Sequence, residues 1–285
     1  NGQPANVMKM PKNDATMGYL MLPDLPANGG GQLCNQWSLV MDLLYPTDSS
    51  GKVRAIIQID DPFGNSNGAE VTIGANNAVG HAQPQGLVHP DTTHRLVIAV
   101  DQAADPPIMS KYIDGIKLGE EILPIGALGK LDGRWAILDK DFTFGGDFAL
   151  LFSDSTGSSE VGYVGSIQIH DRALSSGYVA AMGGPTAGGI PTDVKAVAGI
   201  ERISPYSGQI LVFPETPIEV NLLDGDQPIP QNSIKLSVDG QEVTSQISSP
   251  NPGEHHLTYD PGLLEPGSVG TAKLSFIDPA NNNAE

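Results

Sequence analysis

The chain has 285 residues, 39% of them hydrophobic, which is enough for one large or two ordinary domains with packed cores. Its 15 Lys and Arg residues against 33 Asp and Glu residues give a net charge of −18, which argues against nucleic acid as a partner. The 34 Gly and 23 Pro residues leave little room for long helices and favour an all-β fold.

Three further features restrict the class of protein. A single cysteine, Cys34, excludes an intrachain disulfide and a zinc site built on cysteines. No apolar run approaches the roughly 18 residues of a membrane span, so no membrane span is expected. The N-terminus also lacks the charged and apolar regions of a signal peptide, so an exported protein would already have lost its signal.

Short apolar or alternating runs bounded by Gly, Pro, Asn or Asp predict strands in the first part of the chain. These runs are 36–45, 53–60, 70–74, 94–101, 111–119, 148–154 and 163–171. The turn residues at 46–51 predict that the first two runs pair as a hairpin. Asp114-Gly115 predicts another hairpin, because Gly tolerates the positive φ that a two-residue turn needs.

The pattern changes near Ser175, where one short helix is predicted. Ser175 can cap the helix and Gly183 can end it. The small residues that follow predict a linker at 191–197. A second set of strands begins near Ile200 and contains a second Asp-Gly hairpin signal at 239–240. Its closing strand either lies beyond Glu285 or is absent.

Several stretches of the first part occur in an order that is typical of one family. They are QWSLVMDLLYP (36–46), HRLVIAVD (94–101), KYIDGIKLG (111–119), DGRWAIL (132–138), LLFSD (150–154) and GYVGSIQIHDRALSSGYVAAMGGP (162–185). In this order they resemble the LamG-like, concanavalin A-like jelly rolls of exported bacterial proteins. The resemblance implies a jelly-roll domain over 1–190. Many such domains carry an acidic residue of a calcium site where this chain has Gly165 and Ser166.

The second part carries a different resemblance. Ile203-Ser204-Pro205, SIKLSVDGQEVT (233–244), LTYDPG (257–262) and TAKLSF (271–276) are similar to immunoglobulin-like modules that follow catalytic or binding domains in secreted bacterial proteins. The resemblance implies a small domain over 198–285. The predicted fold class is therefore all-β, with a concanavalin A-like jelly-roll sandwich followed by a small immunoglobulin-like β-sandwich.

His170, Asp171 and Arg172 have the residue types of an acid–base site. Adjacent strand residues point to opposite faces, so these three side chains are not expected to converge. Because Ile167 and Ile169 share one face, we expect His170 on the other face, exposed to solvent or at the rim. The sequence therefore predicts no catalytic residues here.

Glycoside hydrolysis is an enzymatic alternative, because some jelly rolls of this class are glucanases. The reaction needs two carboxylates flanking the scissile bond. The first domain contains no E-x-D-x-x-E or E-x-D-x-E run, and its neighbouring glutamates, Glu120 and Glu121, fall in a predicted turn. A glycan-active enzyme is therefore kept as the second alternative.

Oxygen-bearing side chains are concentrated in the stretch DDPFGNSNGAE. Calcium takes six to eight oxygen ligands, preferably on a loop where Gly permits the turn. The predicted calcium loop consists of Asp60, Asp61, Asn65, Asn67 and Glu70. The alternative is a polar loop whose Asn and Asp side chains cap their own turns. The stretch 139–147 offers Asp139, Asp141 and Asp147 with the same ambiguity.

Aromatic residues bear on sugar binding, which needs a platform beside polar groups. Trp37 and Trp135 are the two tryptophans, and both are expected in the core. The loop aromatics Phe63, Phe142 and Phe144 are further candidates for sugar contacts, although their spacing does not single them out.

Together with the resemblance, these observations predict a non-catalytic extracellular binding or adhesion module, directed to carbohydrate and assisted by calcium. The expected partners are a polysaccharide or glycan and neighbouring protein domains or chains. The expected location is secreted or at the cell surface, within a larger exported bacterial protein. The first alternative is a structural or assembly component of a cell-surface or extracellular polymer. Fold analogy supplies most of this functional prediction.

Overall fold

The computed structural model describes residues 4–13, 18–59, 68–125, 129–137, 149–195, 197–205, 213–225, 227–250, 253–265 and 267–279. Contacts divide the chain into two compact units. Unit 1 comprises Asn1–Leu174 and Met182–Thr192, and unit 2 comprises Ser175–Ala181 and Asp193–Glu285. Both units are built from antiparallel sheets, so the predicted all-β class is confirmed.

Unit 1 is a sandwich of two sheets. Its strands are β1 (Met8–Met10), β2 (Tyr19–Met21), β3 (Gln36–Leu44), β4 (Arg54–Gln58), β5 (Val71–Ile73), β6 (Val79–Gly80), β7 (His94–Asp101), β8 (Ile108–Ile113), β9 (Ile116–Ile122), β10 (Ala149–Leu151) and β11 (Gly162–His170). Sheet A has the order β1-β11-β3-β7-β8-β9, and sheet B has the order β2-β10-β4-β5-β6.

The core of unit 1 lies between these two sheets. In β3 the alternate residues Trp37, Leu39, Met41 and Leu43 face inward and are almost completely buried. Trp135 joins the same core, and its backbone carbonyl accepts a hydrogen bond of 2.7 Å from Nε1 of Trp37. The prediction that both tryptophans belong to the core is confirmed.

The predicted hairpin between residues 36–45 and 53–60 is wrong. β3 pairs with β11 and β7 in sheet A, whereas β4 pairs with β10 and β5 in sheet B. A tight hairpin turn would have kept both strands in one sheet. The intervening residues instead carry the chain across the roughly 10 Å that separates packed sheets.

The hairpin predicted at Asp114-Gly115 is confirmed. These two residues connect β8 to β9 and have φ angles of 54° and 87°. Such angles at both central residues are those of the type I′ turn that suits the twist of paired strands. The carboxylate of Asp114 also accepts hydrogen bonds from the backbone N–H of Arg95 and from Nδ1 of His94. The turn is thereby tied to the neighbouring strand β7.

The segment 182–190 packs on the outer face of sheet A. Arg95 is completely buried there, and its guanidinium donates to the carbonyls of Met182 and Gly189 at 2.7 and 3.0 Å. The same guanidinium forms a bidentate ion pair with the carboxylate of Asp42. The centre of this face is therefore occupied by the chain itself.

The predicted short helix is α1 (Ser176–Met182). The hydroxyl of Ser175 accepts a hydrogen bond from the backbone N–H of Tyr178, and Gly183 follows the helix with a φ of 58°. The predicted cap and the predicted end are both confirmed. No helix in the described ranges is long and apolar enough to cross a membrane.

Unit 2 contains two smaller sheets. Its strands are β12 (Gly199–Ser204), β13 (Ile218–Leu223), β14 (Lys235–Val238), β15 (Gln241–Val243), β16 (Gln246–Ser248), β17 (Glu254–Tyr259) and β18 (Ala272–Ser275). The sheets have the orders β12-β13-β17-β16 and β15-β14-β18, and share a core that includes Val220, Leu222, Leu236 and Leu257. Asp239 and Gly240 form the predicted turn between β14 and β15.

Candidate functional site

Of the five residues of the predicted calcium loop, the structure describes Glu70. Asp60, Asp61, Asn65 and Asn67 lie outside the described residues. So do the oxygen-rich stretch 139–147 and the three loop phenylalanines. No group of three or more His, Cys, Asp or Glu side chains in the described ranges is arranged to hold a metal ion. The calcium loop therefore stays a prediction.

Glu70 is the one predicted calcium ligand that is described. It is completely buried, and its carboxylate accepts hydrogen bonds from the backbone N–H of Ile59 and from Nε of Arg134, the latter at 2.7 Å. The guanidinium already supplies the positive charge that a calcium ion would bring. An ion that used Glu70 would have to compete with this ion pair.

Glu70 belongs to a group that we name the Arg134 cluster, which consists of Glu70, His81, Arg134 and Trp135. Glu70 immediately precedes β5, and His81 immediately follows β6, the strand that pairs with β5. Arg134 and Trp135 come from the loop 129–137, which is anchored by a bridge between Ile137 and Cys34. Chain segments far apart in sequence thus meet beside one end of sheet B.

The three cationic or aromatic members of the cluster are in contact. The Cζ atom of Arg134 lies 5.9 Å from the centre of the Trp135 ring. The rings of His81 and Trp135 are perpendicular, with centres 5.2 Å apart. Burial lowers the pKa of His81, and the charge of Arg134 lowers it further, whereas the charge of Glu121 opposes both effects.

Two buried donors of the cluster are unsatisfied. Nη2 of Arg134 and Nε1 of Trp135 have no hydrogen-bond partner among the described residues. Both groups can only donate, and buried polar groups without a partner are rare in folded proteins. The Arg134 side chain is 26% exposed, so solvent reaches part of it, although Nη2 of Arg134 and Nε1 of Trp135 are themselves buried.

Three buried carboxylates of unit 1, those of Glu121, Asp154 and Glu160, have lowered pKa values. Burial alone would raise the pKa of Glu121, but Lys111 and the backbone N–H groups of residues 81–83 lower it overall. The pKa values of Asp154 and Glu160 are likewise lowered overall, by backbone and hydroxyl donors and by two lysines respectively, against the effect of burial. None of these three carboxyls is poised to donate a proton near neutral pH.

The His170 triplet forms the corner after β11. The carbonyl of Asp171 accepts a hydrogen bond from the side chain of Asn28, and the carbonyl of Arg172 accepts one from Ser38. His170 is half-buried, as at a rim. Burial lowers its pKa and the charge of Arg172 lowers it further, whereas Asp171 opposes both effects. Asp171 and Arg172 are exposed.

A Ser-His-Asp arrangement in unit 2 has no counterpart in the sequence analysis. Nε2 of His255 lies 2.9 Å from Oδ1 of Asp224, which also accepts the backbone N–H of Ile229. The hydroxyl of Ser249 lies 3.5 Å from Nδ1 of His255. This separation exceeds the roughly 2.6–3.2 Å that couples a nucleophile to its base. The contacts instead tie two loops to β17.

Comparisons with known proteins leave the family undetermined. No protein-family model matches the chain, and no curated protein sequence matches it significantly. Among solved structures, the chain is similar to the sialidase of Trypanosoma rangeli, with 14% identity and a TM-score of 0.37 over 52% of this chain and 22% of that chain.

Two further structures have the same degree of similarity. The first is the CBM40 of the Ruminococcus gnavus IT-sialidase bound to α2,3-sialyllactose, with 13% identity and a TM-score of 0.38 over 62% of this chain and 98% of that one. The second is the NanB sialidase of Streptococcus pneumoniae, with 12% identity and a TM-score of 0.38 over 66% and 30%. The chain spans less than a third of either complete sialidase. At these values the likeness does not decide family or function, and the LamG-like and immunoglobulin-like assignments stay predictions.

Proposed function

We propose that the chain is a non-catalytic, carbohydrate-directed binding module of an extracellular protein. In this proposal unit 1 is a LamG-like jelly roll that carries the binding site, and unit 2 is an immunoglobulin-like sandwich. The protein is secreted or held at the cell surface, and its partners are a glycan and neighbouring domains or chains. Calcium bound by the loop at 60–67 assists the fold of the site.

The observation that carries this proposal is the pair of unsatisfied donors in the Arg134 cluster. Sugars present hydroxyl and, in acidic sugars, carboxylate oxygens, which accept hydrogen bonds from guanidinium and indole N–H groups. Arg134 is partly open to solvent and is held in place by Glu70 and by the Trp135 ring. A side chain that is already oriented loses less entropy when it binds a ligand.

Two other observations support a binding role without catalysis. The buried carboxylates Glu121, Asp154 and Glu160 have lowered pKa values, which suits structural ion pairs better than general acids. The centre of the outer face of sheet A is filled by the segment 182–190, so the Arg134 cluster is the better-supported place for a glycan.

The first experiment is to measure glycan binding by the whole chain. A glycan array that includes sialyllactose and neutral oligosaccharides identifies a ligand, and calorimetric titration then compares variants. Arg134→Lys keeps a positive charge near Glu70 but removes the planar fork, so we expect affinity to fall by about tenfold or more. Lys9→Gln changes an exposed charge elsewhere in unit 1 and serves as the control.

Two results would contradict the proposal. One is the absence of glycan binding at millimolar ligand, and the other is unchanged affinity in Arg134→Lys with an intact thermal transition. Filaments or large oligomers that ignore glycans would favour the alternative of a structural component.

A further inference from the structure

A buried histidine lies at the start of β7, at one end of the unit 1 sandwich. His94 is almost completely buried, and it is directly opposite Leu43, a core residue of β3. Residues that are directly opposite each other share one face of a sheet, so the imidazole points to the inner side of sheet A. We name the ring and its two polar contacts the His94 group, which consists of His89, His94 and Asp114.

Both ring nitrogens of His94 have a partner. Nδ1 lies 2.7 Å from Oδ2 of Asp114, and Nε2 accepts the backbone N–H of His89 at 3.1 Å. A carboxylate accepts hydrogen bonds and a backbone N–H donates them, so Nδ1 carries the ring proton and Nε2 is the acceptor. The two contacts therefore select a neutral imidazole in one tautomer.

The two contacts respond differently when the ring gains a proton. An imidazolium has an N–H donor at both nitrogens, so Nδ1 still donates to Asp114. Nε2 can no longer accept, and its new N–H is directed at the N–H of His89. The contact with Asp114 thus exists in both charge states of His94, whereas the contact with His89 exists in the neutral state alone.

The backbone at residues 88–91 depends on this contact. The N–H groups of Val88 and Asp91 each donate to a backbone carbonyl of another chain segment at 2.9 Å. Pro90 has no N–H, so His89 supplies the only backbone donor between these two positions. The bond from His89 to Nε2 therefore ties the middle of the segment to β7.

The groups around the ring leave His94 as the member that changes its hydrogen bonding. Asp114 faces it from the β8–β9 turn, and His89 faces it with a ring centre 5.7 Å away. Leu43 on β3 is uncharged, and Arg95, the next residue of β7, points to the opposite face of sheet A. Histidine side chains are the ones that ordinarily change charge between pH 5 and 8.

We propose that His94 is a pH-sensitive switch for the segment 88–91. The neutral imidazole holds the backbone of His89 on β7, and the imidazolium, retained by Asp114, releases it. The inference does not depend on the proposed function, because none of these residues belongs to the Arg134 cluster. Binding of glycan and release of this segment are separate measurements, and either can fail without the other.

The test is amide hydrogen exchange of the whole chain between pH 8 and pH 5, with each rate divided by that of an unstructured peptide at the same pH. We expect the protection of the His89 amide to fall by about tenfold or more across this range, because a buried donor loses its acceptor. The Asp91 amide, whose acceptor is a carbonyl, is the internal control and should change less.

Two variants assign the effect to His94. His94→Gln has an acceptor and a donor but gains no proton in this range, so the protection of the His89 amide should not depend on pH. His89→Asn removes the neighbouring imidazole and keeps the backbone N–H, so the pH response should persist. Circular dichroism checks that both variants are folded.

A second readout on the wild type reports the tautomer. Nitrogen–proton correlation spectra of the histidine side chains at pH 8 should show the proton of His94 on Nδ1. The proposal is overturned if Nε2 carries that proton, or if the protection of the His89 amide is the same at pH 8 and pH 5. A pH response that persists in folded His94→Gln also overturns it, because another group would then be responsible.

Discussion

At the residue scale, the most informative feature of unit 1 is how it compensates buried charge. Asp42 is paired with Arg95 and Glu121 with Lys111, and all four side chains are almost completely buried. Backbone groups supply the remaining hydrogen bonds, since the carbonyl of Met182 accepts from Arg95 and that of Gln83 accepts from Lys111. A buried pair is tolerated when its remaining donors and acceptors are satisfied in this way. Nη2 of Arg134 and Nε of Arg54 differ from these groups, because neither has such a partner among the described residues.

The buried carboxylates make the stability of unit 1 depend on pH. Burial would raise the pKa of Asp154, but the backbone N–H groups of Ser158, Ala69 and Thr156 and the hydroxyl of Thr156 lower it overall from 3.8. A lowered pKa in the folded state contributes stability above the unfolded pKa, and this stability is lost as the pH falls through the folded value. We therefore expect the free energy of unfolding of unit 1 to fall as the pH drops below about 4.

Asp154→Asn tests this expectation. The variant removes one titrating group, so its free energy of unfolding should be lower at pH 7 and should change less between pH 5 and the acid limit. Urea titrations at a series of pH values measure the effect, with Asp193→Asn as an exposed control. An acid dependence identical to that of the wild type would mean that Asp154 does not contribute.

At the scale of elements, the turns are the best-determined features. Asp114-Gly115 and Asp239-Gly240 both adopt the positive φ angles that an Asp-Gly hairpin requires. The same local chemistry did not apply to residues 46–51, where a longer run of turn residues connects two strands of different sheets. A two-residue turn determines its own geometry, whereas a longer connection is decided by the packing of what it joins.

Gly240→Ala tests the contribution of the β14–β15 turn to unit 2. A Cβ atom at Gly240 would meet nothing within 4 Å, so the cost comes from the φ of 79° alone. We expect the free energy of unfolding of unit 2 to fall by about 1–2 kcal/mol.

Gly270→Ala is the matched control, because Gly270 belongs to the same unit, has no positive φ and leaves ordinary contact distances for a Cβ atom. Chemical denaturation of the two variants measures the difference. Equal stability in both would show that the left-handed conformation at Gly240 costs an alanine nothing.

At the scale of the whole molecule, the calcium prediction is tested by thermal unfolding of the full chain with calcium and with a chelator. An ion that binds only the native state stabilises it by about 2.7 kcal/mol at a hundred times its dissociation constant. We expect calcium to raise the midpoint of one transition in the wild type and to have no effect in Asp61→Ala.

Glu70→Gln tests whether the Glu70 carboxylate pairs with Arg134 or binds the calcium ion. Because Glu70 is bound to Arg134, this variant should lower the midpoint in the chelator, since Arg134 loses its buried partner. Its response to calcium should persist. Loss of the calcium response in Glu70→Gln would show that this carboxylate is a calcium ligand. A wild-type midpoint that is the same with calcium and with the chelator would contradict the calcium prediction.

Features that depend on interactions between adjacent residues can be predicted from the sequence, whereas features that depend on long-range packing cannot. The sequence by itself determined the all-β class, the burial of Trp37 and Trp135, the cap at Ser175 and both Asp-Gly turns. Each of these depends on composition or on a few adjacent residues.

Only the tertiary structure decided which sheet each strand joined and which side chains met. β3 is buried on both faces, so its sequence pattern does not predict which strands pair with it. Glu70 and Arg134 are 64 residues apart and form an ion pair because two chain segments pack beside sheet B. His94 and Asp114 likewise meet through the pairing of β7 with β8. Such convergence depends on packing across the whole unit, which local residue patterns do not encode.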